Sequence, residues 1–261
     1  MNLLATAALL PHALKNSAGA SPYQLRQAST VADVHAVQRL RFQVFNLELR
    51  EGLQQSYDTG LDADQFDSVC DHLLVEYTRT GEVVGTYRMQ SGVQAARHHG
   101  YYCAREFDFT PYEPLRPEML ELGRACIHAD HRTYAVLSLL WKGVASHAQA
   151  HGARYLFGCS SLTSQDAAVG VAAYARLQQH LAAPMYRTLP RAAFACSPEY
   201  RATTAEAPHI PKLLSAYLAL GAWICGPPAL DSEFKTIDFL TLLDLQSPEM
   251  ALRRKRFSIG G

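Results

Sequence analysis

From Met119 to His151 the chain reads MLELGRACIHADHRTYAVLSLLWKGVASHAQAH, and the other segments are arranged around this stretch. Met119 to Ile127 has the apolar character of a strand, His128 to Thr133 form a polar turn, and residues 134–151 repeat apolar side chains at helical spacing. A strand that runs straight into a helix leaves backbone N–H groups unpaired at the helix start, with the positive end of the dipole behind them. That is a seat for a phosphate. Within the strand, Glu121 and Arg124 are an odd number of residues apart, so a regular strand would point them to opposite faces. Gly123 between them is a natural place for a bulge that re-aims one of the two.

The flanking segments give a coarse element order. Tyr23 to Ala28 fits a first strand. Thr30 followed by Asp33 marks a helix start, and Val31 to Leu47 carry an apolar face over about five turns. Arg41 and Phe45 are neighbours on that helix; a solvated arginine is the plainer alternative to a functional one. Glu51 to Asp71 is an acidic connector too long for a simple turn, and loops of this length tend to be functional or mobile. Its Asp58, Asp62, Asp64, Asp67 and Asp71 suit a cationic acceptor, or serve as turn and cap residues. The connector lacks the glycine and terminal glutamate of a calcium loop.

His72 to Tyr77 and Glu82 to Met89 read as a hairpin closed at Thr78 to Gly81, with Val84, Thr86 and Arg88 on one face and Val83, Tyr87 and Met89 on the other. Arg88 in this apolar run needs a carboxylate, from Glu121 or from the acidic connector. Arg154 to Cys159 is a further strand, followed by a polar mouth at Ser160 to Gln165 and a helix from Asp166 to Leu181 that carries Tyr174 among alanines. Pro184 to Pro208 is irregular; Lys212 to Leu220 is a short helix, and two strands close the fold around Leu230 to Phe234 and Ile237 to Leu243.

Composition narrows the class. A chain of 261 residues that is 48% hydrophobic can bury its own core as one unit. Its formal net charge of zero gives no global field toward nucleic acid. The six cysteines are more than twenty residues apart with no CxxC pair, and the eleven histidines show no HExxH spacing. Free buried thiols in a reducing cytoplasm, and no metal, are therefore expected; His128 and His131 read as turn residues. The apolar run LLATAALL at residues 3–10 has no basic residue before it and meets Pro11 early, so residues 1–22 read as a flexible tail and not as a secretory signal. Arg253 to Phe257 is a basic run, able to touch acidic lipid headgroups at the inner membrane, an acidic carrier protein, or solvent alone.

Taken in order, LRFQVF, DQFDSVCDHLLV, VVGTYRM, ELGRACIHADHR, YLFGCSSL and AYLALGAWICGPPALDSEF resemble the successive motifs of one branch of the GNAT acyltransferases, the ornithine N-acyltransferases and long-chain N-acyl amino acid synthases. The resemblance runs from about Tyr23 to Phe257. A more distant one, to acyl-homoserine-lactone synthases, rests on Arg41 with Phe45, Asp64 with Asp67, Arg88, and Glu121 with Arg124. The first resemblance implies an α/β (α+β) GNAT fold over residues 23–257, with a mixed, mostly antiparallel sheet splayed at a bulge and helices on both faces. It also implies an acyltransferase that moves a long, 3-hydroxylated or plain, acyl group from acyl carrier protein to the α-amine of an amino acid, ornithine before others. On these lines Glu121 is the base, with Arg124 and Arg88 holding it or the acceptor carboxylate, and Tyr174 either protonates the thiolate or packs in the core. Arg41, Phe45, Asp64, Asp67, Ser160 and Ser161 border the substrates, and His131, Arg132, Thr133, Tyr134, Ala135 and Val136 cradle the donor phosphate. Arg132, Thr133 and Tyr134 replace the glycines of the usual GNAT turn, which favours a phosphopantetheine thioester on carrier protein over acyl-coenzyme A. A lactone synthase and a catalytically silent lipid or carrier-protein binding module are the alternatives. The acidic Glu51, where lactone synthases tend to carry tryptophan, and the GAWICGPPALD segment stand against the former.

Overall fold

The structure, a computed structural model, describes residues 21–196, 209–248 and 250; the expected N-terminal tail, apart from Ser21 and Pro22, and the basic run at 253–257 lie outside them. Among these residues eight strands form one sheet: β1 (Tyr23–Gln27), β2 (Asp71–Tyr77), β3 (Glu82–Ser91), β4 (Met119–Ile127), β5 (Tyr155–Leu162), β6 (Trp223–Ile224), β7 (Ala229–Asp231) and β8 (Thr236–Asp244). Their order is β1-β2-β3-β4-β5-β8-β6, with β7 also on β8. The helices are α1 (Val31–Arg41), α2 (Ser56–Thr59), α3 (Gly92–Arg97), α4 (Tyr134–Ala150), α5 (Ala167–Arg176) and α6 (Lys212–Ala219). No helix among the described residues is long and apolar enough to cross a membrane, and all six cysteines are free thiols.

Alternation along β4 sets the two layers of the core. Met119 packs with Tyr101, Phe107, Phe109, Phe157 and Leu240 on one face. Leu120 packs with Val136, Leu140 and Val144 of α4 on the other. Helices cover both faces of a mostly antiparallel sheet, as the resemblance implied.

β4 and β5 form the parallel pair at the centre, and they stay together for only three residues: Met119 opposite Tyr155, Leu120 opposite Leu156, Glu121 opposite Phe157. Beyond that point β4 continues against β3 and β5 against β8, so the sheet opens into a V. The cause is in β4. Thr86 of β3 faces Cys126 and Arg88 faces Gly123, so two residues, Arg124 and Ala125, share the place opposite Tyr87. The sequence pointed to Gly123 for this bulge, but the residue with left-handed backbone is Arg124, at φ 49°. A side chain there costs about 1–2 kcal/mol. Ion pairs from Arg124 to Asp62 and Asp64, and the rings of Tyr102 and Phe234 against its guanidinium, offset that cost.

Two other expectations need correction. The simple alternation along β3 fails because Val75 pairs with Gly85 and Glu76 with Val83, leaving Val84 as an extra residue. Val84 therefore joins Tyr87 and Met89 in the core under α4, while Val83 packs beside Val44 and Phe45. The five-turn helix is likewise not uniform. It starts on the expected Thr30–Asp33 capping box, but after Arg41 it widens into a π-helical segment, Phe42–Glu48. Such widened turns often occur at functional sites.

The V tolerates side chains unequally. A Cβ on Gly158 of β5 would lie far inside contact distance of the Leu122 carbonyl oxygen, whereas one on Gly123 would meet nothing. Gly158→Ala is expected to cost about 1–3 kcal/mol, because backbone and not a flexible side chain must yield. Gly123→Ala should stay within about 0.5 kcal/mol of wild type. Urea unfolding of the two variants measures the difference; equal stabilities would contradict the close approach of β5 to β4.

Candidate active site

A cavity of about 350 Å³ occupies the V and passes from one face of the sheet to the other. On the α4 side its wall is apolar, formed by Trp141, Leu156, Leu214, Tyr217, Ala222 and Leu243. Tyr217 of α6 packs edge-on against Trp141 and its hydroxyl meets that of Tyr87. On the opposite face the wall is polar, formed by Glu51, Arg88, Glu121, Arg124, Ser161 and Asp238. One cavity thus offers a compartment for an alkyl chain and another for a charged molecule, joined where β4 and β5 part.

Behind the polar wall three arginines meet three aspartates. Arg41, fully buried, pairs with Asp62 at 2.8 Å and Asp67 at 2.7 Å. Arg88 pairs with Asp64 at 2.6 Å and Asp67 at 2.8 Å. Arg124 reaches Asp62 at 3.3 Å and Asp64 at 3.1 Å. Burial alone would raise the carboxyl pKa of Asp64 and Asp67, but the guanidinium groups of Arg88 and Arg124 beside Asp64, and of Arg41 and Arg88 beside Asp67, hold both below the usual range. Among the three arginines it is Arg88 and Arg124 that line the cavity. Both lie against the Tyr102 ring, at 5.5 and 4.8 Å. The acidic connector is therefore a counter-charge that holds two arginines at the wall, where a carboxylate can meet them.

Glu121 is the last residue of β4 paired with β5, at the apex of the V. Its carboxylate accepts the backbone N–H of Tyr102 at 2.9 Å and of Cys103 at 2.7 Å. The amide of Gln90, with its nitrogen turned toward Glu121, adds a third donor at 3.3 Å. Burial raises the Glu121 pKa above the ordinary glutamate value, although these N–H groups and Arg88 draw it back. A carboxylate poised upward in this way suits general base work.

The other arm of the V, where β5 meets β8, carries residues that the sequence had not singled out. Asp238 is buried between Ile237 and Phe239 and lines the cavity, with Glu106 and Cys159 close by. Glu51, bonded by the Thr163 hydroxyl, faces the same space. The available signal was the carboxylate in TIDFLTLLD, where apolar neighbours on either side make a free surface position improbable. Among the described residues, two groups of side chains have the proximity of metal ligands: Glu106 with Cys159 and Asp238, and Asp71 with His147 and His151.

Of the residues expected to form the site, Glu121, Arg124, Arg88, Phe45, Ser160 and Ser161 line the cavity. Arg41, Asp64 and Asp67 stand behind them as the ionic support, so the two aspartates are occupied by arginine and do not present themselves to an acceptor amine. Tyr174 is not brought to the site: its ring stacks on Phe239 in the core beside α5. None of residues 131–136 lines the cavity. His131 packs against Tyr23 and Tyr77, Arg132 pairs with Glu48 at 2.6 Å, and Val136 is core. Thr133 caps the helix by accepting the Val136 N–H. Helix geometry then leaves the N–H groups of Tyr134 and Ala135 without an intrahelical carbonyl, enough for one phosphate.

Residues 40–142 match the family described as an acetyltransferase (GNAT) domain. An L-ornithine N(alpha)-acyltransferase of Rhodobacter capsulatus is 34% identical over 236 residues, 86% of this chain and 91% of that protein. Its namesake from Brucella abortus is 32% identical over 238 residues, 85% of this chain and 84% of that one. Among solved structures, FeeM, an N-acyl amino acid synthase from uncultured soil microbes, superposes with a TM-score of 0.52 at 11% identity, over 85% of this chain and 90% of that one.

Proposed function

The chain belongs to the GNAT acyltransferases, in the family of the L-ornithine N(alpha)-acyltransferases, and on that premise we propose that it transfers a long-chain, 3-hydroxylated or plain, acyl group from acyl carrier protein to the α-amine of ornithine. The observation that carries this reading is the cavity that crosses the sheet where β4 leaves β5, apolar on one face and charged on the other. The fatty chain lies against Trp141, Leu156 and Tyr217, and the thioester carbonyl reaches the apex of the V. Arg88 and Arg124 receive the acceptor carboxylate. Glu121 takes the proton from the α-amine, directly or through water, as nitrogen attacks the carbonyl. Backbone N–H groups freed at the bulge face the developing oxyanion, and the thiolate of the pantetheine arm leaves as the amide forms.

Carrier protein as donor is supported by the helix start, where one pair of N–H groups remains for one phosphate and no glycine-rich turn is present for the nucleotide of coenzyme A. The experiment is direct. Purified protein is given ornithine with an acyl-carrier thioester, or with the matching acyl-coenzyme A, and products are read by mass spectrometry. N-acyl ornithine is expected from the carrier thioester, at a kcat/KM above that from the coenzyme A ester. No amide from either donor would refute the reading; preference for coenzyme A would refute its donor.

A further inference from the structure

One end of the cavity holds buried carboxyls that the protein answers only in part, Asp238 on the wall being held by the hydroxyls of Ser161 and Thr236 and by Glu106. Asp62, Asp64 and Asp67 face guanidinium groups, and Glu121 faces backbone N–H groups. Asp238 and Glu106 are 3% and 1% exposed, yet Asp238 Oδ1 and Glu106 Oε1 make no hydrogen bond among the described residues. Together with Cys159 Sγ, the two carboxylates offer atoms within 4.8 Å of one another. Asp231 adds a further negative charge that raises both pKa values, and Glu51 on the cavity wall feels Asp238 in turn. Arg105 acts on Glu106, but it is itself paired with Glu233 at 2.8 Å. Buried carboxylate oxygens without donors are costly. Such a site is complete only with a cation, or with protons held in its place, and burial raises the carboxyl pKa of Glu51, Glu106 and Asp238 above the ordinary range.

The geometry of the V says which cation fits. Arg88 and Arg124 lie on the arm of β3 and β4, Asp238 on the arm of β5 and β8, and Glu121 at the apex. Tyr102 spans the gap, its ring against both arginines and its hydroxyl 3.5 Å from Asp231 Oδ2. A molecule with a carboxylate at one end, an amine in the middle and an ammonium at the far end matches this order of charges. Resting on the acyl transfer read above, we propose that Asp238, with Glu51 and Glu106 beside it, binds the side-chain ammonium of the acceptor and makes this end of the cavity the selector for a cationic amino acid. The unpaired Asp238 oxygen on the wall, with that of Glu106 behind it, calls for a donor at this end of the cavity.

The test compares ornithine with norvaline, which has the same carbon chain and no side-chain ammonium. In Asp238→Asn the ratio of kcat/KM for ornithine to that for norvaline should fall by about 10–100-fold, the range of one charged hydrogen bond, with most of the change in KM for ornithine. Glu51→Gln should shift the ratio in the same direction by less. Calorimetry of ornithine binding to wild type in buffers of different ionisation heat should report proton release, diminished in either variant. An unchanged ratio in folded Asp238→Asn, or in Glu51→Gln should the former not fold, would overturn the inference and leave a structural carboxyl pair. A divalent metal retained by purified wild type and lost from the variant would overturn it in favour of a metal site. Failure of wild type to acylate ornithine would instead remove the reading on which this one stands, so the two failures are distinct.

Discussion

Glu121→Gln is expected to lower kcat for amide formation by about 10²–10⁴-fold, the contribution of a positioned general base. Glutamine keeps the size of the side chain but cannot take a proton from the acceptor amine. The same change also acts on the fold. Glu121 accepts the N–H groups of Tyr102 and Cys103 on separate oxygens, and the amide nitrogen of glutamine would confront one of them. That mismatch costs about 1–3 kcal/mol, so the folded fraction has to be measured by thermal melting alongside kcat. A pH profile separates the two effects. Burial raises the Glu121 pKa, so in wild type the base is ionised only above that raised value and kcat falls as pH drops through it, at a pH higher than an exposed glutamate would give. The variant should lose this acidic limb as well as the rate. A folded variant with kcat within a few-fold of wild type, or with the limb intact, would show that Glu121 only anchors the Tyr102–Cys103 segment.

What could be read in the sequence was local, and what could not depended on partners far along the chain. Strand β4 has the bounds expected of Met119 to Ile127, and α1 starts on the Thr30–Asp33 box, because apolar runs and caps are decided within a few residues. The resemblance added the split sheet and brought Arg88, Glu121 and Arg124 to one wall. Their division of labour was hidden. Asp64 and Asp67 looked available to an acceptor, and only the folded chain shows Arg41, Arg88 and Arg124 already upon them or their neighbour Asp62. The bulge lay next to Gly123 but in Arg124, since a glycine's freedom is visible in a sequence and ion pairs that hold an arginine in left-handed backbone are not. Of the two roles open to Tyr174 on a helix that serves other GNAT enzymes, the structure gives the packed one, its ring against that of Phe239. Asp238 went unseen as one carboxylate between Ile237 and Phe239, and Glu106 because Arg105 and Asp108 beside it read as surface; their meeting requires β8 and the segment after Cys103 to close on β5.

The second large effect is expected from Asp67→Asn, at about 3–5 kcal/mol of stability, as for other buried ion pairs broken on one side. Asp67 accepts from Gln38 at 2.8 Å, from Arg41 at 3.0 and 2.7 Å, and from Arg88 at 2.8 Å, all donors. Asparagine would remove the charge and turn an N–H group toward at least one of them. At about 2–4 °C per kcal/mol for a chain of this length, the melting temperature should fall by roughly 10 °C. The same group predicts how wild type responds to acid. Burial pushes the Asp67 carboxyl up, but Arg41 and Arg88 outweigh it and depress the folded pKa well below the unfolded value near 4. The stability this supplies is present above the unfolded pKa and is lost as pH falls toward the folded one. Wild type should therefore weaken progressively below about pH 4, and Asp67→Asn should show a shallower loss over that range. Because Arg88 stands on the cavity wall with Asp67 as its counter-charge, the variant should also raise KM for the acceptor while leaving KM for the acyl donor nearer to wild type. A variant as stable as wild type at pH 7 would mean that Asp62 and Asp64 suffice for all three arginines, and the acidic connector would then be a site for ligands after all.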